Sequence, residues 1–116
     1  MQTKECSIEA TLRTVGDRWT LLILRNIFRG IKRFENIQKD LGIARNLLSK
    51  RLHHLVENEV IERFLYQEKP NRYEYKLTDK GRALSPSLIA LMQWGDQWCS
   101  SEEPLVKLVH DNCGSL

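Results

Sequence analysis

Between residues 41 and 56 the chain reads LGIARNLLSKRLHHLV, a leucine-periodic stretch carrying Arg45, Lys50, Arg51, two histidines and no acidic residue. Acids return just outside it, at Asp40, Glu57 and Glu59. The spacing predicts an amphipathic helix whose stripe of Leu48, Leu52 and Leu55, with Leu47 beside it, must bury against a core. The same spacing turns Arg45, Asn46, Ser49, Lys50 and His53 outward. These side-chain types hydrogen-bond base edges and phosphates, on a rod that fits a major groove. The face therefore calls for a polyanionic partner, the bland alternative being a solvated cationic surface.

What flanks this helix narrows the fold. Ser7 is placed to cap a short helix bearing Ile8, Leu12 and Val15, which Gly16 ends. Arg18–Phe28 reads as a second, more apolar helix, with Trp19, Leu22, Ile23 and Ile27 toward the core and Gly30 closing it. Residues 34–41 give a third helix with Phe34, Ile37 and Leu41 on one face, and Gly42 supplies the turn before the basic helix. Helix, tight turn and basic amphipathic helix make a helix-turn-helix.

Downstream, residues 60–66 and 73–77 are rich in aromatic and branched side chains, and the second run alternates Tyr73, Tyr75 and Leu77 with Arg72, Glu74 and Lys76. The expected structure is a β-hairpin. Its polar loop, residues 67–72, includes Lys69, Asn71 and Arg72 and is suited to a phosphate backbone beside the groove. A hairpin in this place is a wing. Thr78, Asp79 and Lys80 then open a long final helix, expected to kink at Pro86. In it Leu84, Leu88, Leu91 and Trp98 follow a heptad-like rhythm, with Trp94 and Met92 nearby. That apolar surface exceeds what so small a domain covers, which predicts a homodimer built on the two chain ends.

The fold class is thus mainly α with a small β-hairpin: a winged helix-turn-helix, dimerising through terminal helices. With 116 residues the chain has room for one domain, read as residues 1–100, followed by a C-terminal tail, residues 101–116. A net charge of +3 is mild for a nucleic-acid binder, so placement of charge carries the case. The amino-terminal residues lack the apolar core of an export signal, and no run approaches a membrane span, so a cytoplasmic protein without membrane contact is expected. Serines 49, 85, 87, 100 and 101 lack a nucleophile elbow or base arrangement, and no glycine-rich phosphate loop follows a strand. Neither catalysis nor a cofactor is called for. His110 and Cys113 look like half a zinc ligand set with no second pair, so no metal site is expected there.

Several blocks in order link the chain to a known family: Cys6; Gly16 through Arg25; Arg33-Phe34; Gly42 through Asn46; Leu48 with Arg51-Leu52; Tyr73 through Gly81; and Trp94-Gly95. The sequence resembles the HxlR-type winged helix-turn-helix transcriptional regulators, relatives of the MarR group. The resemblance implies a dimeric regulator that puts its fourth helix in the major groove and its wing against the backbone. It also implies a repressor of detoxification or stress genes, responsive to electrophiles or oxidants through the cysteine at Cys6. The chain departs from many members at Ala44, where a serine often precedes the basic helix, so no capping hydroxyl is expected.

The expected partner is double-stranded DNA bearing an inverted repeat, met by two basic helices in major grooves about 34 Å apart. The contact set is Arg33, Arg45, Asn46, Ser49, Lys50, Arg51, His53, Lys69, Asn71 and Arg72. Arg51, beside the core stripe, suits a phosphate contact or a structural ion pair equally well. His53 and His54 read either as neutral polar residues or as groups whose protonation below about pH 6.5 tightens binding. For Cys6, aligned N–H groups at a helix start favour the thiolate against the pull of Glu5 and Glu9, while simple packing is the competing role. In a dimer joined through the chain ends, Cys6 of one subunit can approach Cys99 of the other, and a disulfide between them would re-angle the basic helices. Two rivals stand beside this reading: an interaction module docking an acidic protein, and a sensor holding a small molecule in a pocket of Trp19, Trp94 and Trp98.

Overall fold

The computed structural model describes residues 6–99, so the tail with His110 and Cys113 lies outside the described residues. Four helices, α1 (Ser7–Val15), α2 (Arg18–Phe28), α3 (Phe34–Leu41) and α4 (Arg45–Glu57), precede a two-stranded antiparallel hairpin, β1 (Ile61–Gln67) and β2 (Arg72–Leu77). Two further helices follow, α5 (Asp79–Arg82) and α6 (Ser85–Trp98). This is the winged helix-turn-helix that the sequence predicts.

Local chemistry explains the boundaries. The Asp17 carboxylate accepts the Thr20 N–H at 3.1 Å and so caps α2. Gly42, at φ 66°, takes the left-handed conformation that stops α3 and turns the chain into α4. α1 begins one residue earlier than its best capping side chain suggests. Cys6 occupies the cap position without a side-chain hydrogen bond, and Ser7 is already helical, its carbonyl accepting the Thr11 hydroxyl at 2.8 Å.

The core lies among α2, α3, α4 and the base of the hairpin. Ile23 and Leu24, Ile37, the α4 stripe of Leu48, Leu52 and Leu55, and Val60 and Ile61 are fully or almost fully buried. The hairpin pairs Ile61 with Leu77, Arg63 with Tyr75 and Leu65 with Tyr73, and a bulge follows Leu65 before the loop. Its other edge is extended by the preceding loop, where the Lys32 carbonyl accepts the Tyr75 N–H at 2.8 Å. Trp19 is only partly buried against this core.

The long final helix is in fact two. Thr78 caps α5 by accepting the Gly81 N–H at 3.0 Å, while its own hydroxyl donates to the Glu59 carbonyl at 2.6 Å. Gly81 is required there, because a β-carbon would collide with the Val60 carbonyl oxygen. The chain then breaks at Ala83 and Leu84, and Pro86 falls in the first turn of α6, so it starts a helix rather than kinking one. α6 buries no residue completely: Leu84 and Leu88 pack partly on the core, whereas Leu91, Trp94 and Trp98 stand 56%, 61% and 67% exposed. Ile8 and Leu12 of α1 are also exposed. Among the described residues no helix is long and apolar enough to cross a membrane.

Candidate nucleic-acid interface

Burying the leucine stripe fixes the roll of α4. Arg45, Asn46, Ser49, Lys50 and His53 consequently all stand exposed on its outer face, as their spacing requires. The Arg45 guanidinium lies over the Phe34 ring, 4.8 Å from its centroid, so an aromatic at the start of α3 steadies the first cation of α4. His53 Nε2 is 3.3 Å from Glu57 Oε2 one turn on. Ala44 provides no side-chain cap, as its lack of a hydroxyl dictates.

Two residues of the basic segment turn inward instead. Arg51 Nε donates to Asp17 Oδ2 at 3.0 Å and thereby ties α4 to the capping residue of α2. Of its two candidate roles, the structural ion pair is the one occupied. His54 Nε2 meets the Thr14 carbonyl at 2.8 Å, which fastens α4 to α1, so His54 does not share the outward face of His53.

The wing is held by a network that spans three elements. Tyr66 donates its hydroxyl to Glu35 Oε1 at 2.9 Å, and Arg72 Nη1 lies 3.7 Å from Glu35 Oε2. Arg33 stacks over the Tyr66 ring at 4.1 Å while its Nε approaches Glu74 Oε1 at 3.5 Å. Desolvation, then the Glu35 carboxylate, pushes the Tyr66 phenol above its ordinary range, which keeps it a donor. Arg33 and Arg72, both read as DNA contacts, thus also clamp the hairpin against the start of α3. Lys69 and Asn71 stand exposed at the tip. Glu35 and Tyr66 were not among the residues singled out in the sequence. Thirty-one positions separate them, and only the alternation that puts Tyr66 and Arg72 near one end of the hairpin hints at the pairing.

The two described cysteines are both exposed. Backbone N–H groups of Glu9, then Ile8, hold the Cys6 thiol below its usual pKa, so the backbone of Glu9 favours the thiolate that its carboxylate was expected to oppose. Within the single subunit Cys6 is not packed into the domain's own core. Cys99 caps the C-terminal end of α6. Of the predicted dimer residues, Leu84 and Leu88 are partly used by the chain's own core, and Leu91, Trp94 and Trp98 project outward.

Comparison with known proteins places these features in context. A family profile, HxlR-like helix-turn-helix, matches residues 14–103. The chain is 47% identical over 109 residues to an uncharacterized HTH-type transcriptional regulator of Mycobacterium tuberculosis, covering 93% of this chain and 69% of the relative. Among solved structures, it is similar to PA1607, a candidate transcription factor, with a TM-score of 0.77 at 42% identity, covering 87% of this chain and 71% of that one. The reduced form of the redox regulator HypR superposes with a TM-score of 0.74 at 28% identity, covering 79% of this chain and 92% of that one.

Proposed function

Because the chain belongs to the HxlR-like helix-turn-helix family of transcriptional regulators, we propose that it is a cytoplasmic, homodimeric repressor reading an inverted-repeat operator. Two copies of α4 enter successive major grooves about 34 Å apart. The observation that carries this is the division of α4 into a fully buried leucine stripe and an exposed face of Arg45, Asn46, Ser49, Lys50 and His53. Arg45, Asn46, Ser49, Lys50 and His53 take base edges and nearby phosphates, and Lys69, Asn71, Arg33 and Arg72 take the backbone beside the wing. Leu91, Trp94 and Trp98, with Leu84 and Leu88 behind them, form the dimer seam. Selection of duplexes from random DNA tests the reading: enrichment of a palindrome supports it, and enrichment of no sequence counts against it.

The exposed, acidified Cys6 thiol favours an oxidant or electrophile as the effector, and the redox regulator among the structural relatives is in keeping with this. Oxidation would join Cys6 of one subunit to Cys99 of the other and change the angle between the two α4 helices. Non-reducing electrophoresis after diamide treatment checks the bridge. A dimer band that survives Cys6→Ser rules it out.

A further inference from the structure

Where α4 meets the hairpin there is a crease of about 540 Å³ lined by Ser49, His53, Val56, Arg63 and Tyr75. Arg45, Ser49 and His53 lie at four-residue intervals along the outer face of α4, and Arg63 of β1 continues that row onto the wing. Like Arg45 over Phe34 and Arg18 over Trp19, Arg63 is stacked on a ring, and it differs from the arginines held in ion pairs. Arg25, Arg33, Arg51, Arg72 and Arg82 each meet a carboxylate: Asp40, Glu74, Asp17, Glu35 and Asp79 respectively. Among the described residues Arg63 meets none; its guanidinium lies over the Tyr73 ring, 4.1 Å from the centroid.

That difference has a chemical meaning. Stacking uses the flat face of a guanidinium and leaves its in-plane N–H groups to donate. One side of the Arg63 fork meets the Tyr75 hydroxyl, and the remaining donors have the geometry that grips phosphate oxygens. The buried Tyr75 and the apolar Val56 form the walls, and no carboxylate lines the crease. Glu57 sits beside it, against His53, which offsets charge on the imidazole and leaves Arg63 as the fixed cation. The donors of Ser49 and His53 face the same space. Such a concentration of donors around one sterically fixed cation that meets no carboxylate among the described residues suits a singly charged oxyanion attached to a larger body.

We propose that the crease seats one phosphodiester of the DNA strand bordering α4, with Arg63 as its anchoring cation. The inference rests on the DNA-binding reading above and adds a contact on β1 that the helix and the loop tip do not supply. A backbone contact carries no sequence information, so Arg63 contributes affinity and register, and base choice stays with α4.

The test uses the full chain, the duplex recovered by selection and a random duplex, with binding followed by anisotropy over a salt series. Arg63→Ala should weaken binding about tenfold on both duplexes and lower the salt slope by about one per protomer. Arg63→Lys should recover the slope and part of the affinity. Neutral methylphosphonates placed one at a time in the duplex interrogate the native chain directly. One position per half-site should weaken it about as much as Arg63→Ala does, and should cost the variant nothing further. An unchanged slope in Arg63→Ala, or methylphosphonate penalties that add fully to the variant's at every position, would overturn the assignment. Saturable binding of inorganic phosphate in the crease with no effect of Arg63→Ala on DNA would assign the seat to a free anion, and also overturn it. Failure of the native chain to bind any duplex at low salt is a separate outcome that removes the DNA-binding reading along with the seat.

Discussion

α4 and α6 are both amphipathic helices with an exposed face, and they leave opposite chemistry in water. α4 buries Leu48, Leu52 and Leu55 completely and presents only polar groups outside. α6 buries none of its residues completely and presents Leu91, Trp94 and Trp98. A polar face costs nothing to leave in solvent, whereas clustered exposed tryptophans mark a surface that awaits protein. The difference is what the proposed function requires, with α4 turned to a polyanion and α6 to a second copy whose placement would set the spacing of the two α4 helices.

If that division is right, the largest effect belongs to α6, though it lies off the DNA. Trp94→Ala should remove a central anchor of the dimer, about 2 kcal/mol or more. Sedimentation should show monomers at micromolar concentration, and operator affinity should collapse toward the random-DNA level, because two half-sites are no longer read together. A monomeric native protein, or a Trp94→Ala dimer of native affinity, would break the comparison at its root. On α4, Arg45→Ala should leave the dimer intact and cost roughly 1–3 kcal/mol on the operator, with relaxed preference at one base position. Equal losses on operator and random DNA would demote Arg45 to a phosphate contact.

The wing offers a finer cut, since it is held in place by groups distinct from those at its tip. Glu35→Ala leaves Arg72 and the Tyr66 hydroxyl without their shared acceptor. The expected loss of stability is about 1 kcal/mol, and amide exchange should quicken in the hairpin while the buried side of α4 keeps its protection. Uniform loss of protection would show that the clamp supports the whole domain. Lys69→Ala, at the tip, should change stability negligibly and weaken all DNA sequences alike.

How much of this was legible beforehand depends on the range of the interactions. α2 and α3 emerge at their predicted limits because their signals are local: apolar periodicity and a glycine at a left-handed turn. The outward row of α4 follows from helix geometry once the leucines bury. Pro86 was misread because a proline suits a kink and a first helical turn alike, and its place depends on a break at Ala83 and Leu84 that no strong local signal marks. Arg51 offered two roles until folding brought it to Asp17, 34 positions away. Glu35 with Tyr66, and Arg63 in its crease, are likewise products of tertiary approach. A charge can be read in a sequence, but whether it is already paired cannot.

The smallest effect concerns that Arg51–Asp17 link, which holds α4 to α2 while its outer face remains free. Partial burial raises the Asp17 carboxyl, but the Thr20 N–H and the Arg51 guanidinium outweigh it and hold the group below its ordinary range. A carboxyl depressed on folding contributes stability above its unfolded value, near pH 3.9, and loses it as the pH falls through the lower native value. Asp17→Asn keeps a capping oxygen and removes only the charge, so at pH 7 it should cost about 0.5 kcal/mol, the range of a half-exposed ion pair with a helix-end term. Denaturant titrations should show that deficit constant from pH 8 to about 5 and shrinking toward pH 3, as the native carboxyl also becomes neutral. A deficit that persists in acid would mean that Asp17 acts through the shape of its cap alone, and that the charge on Arg51 is as available to DNA as those on the outer face of α4.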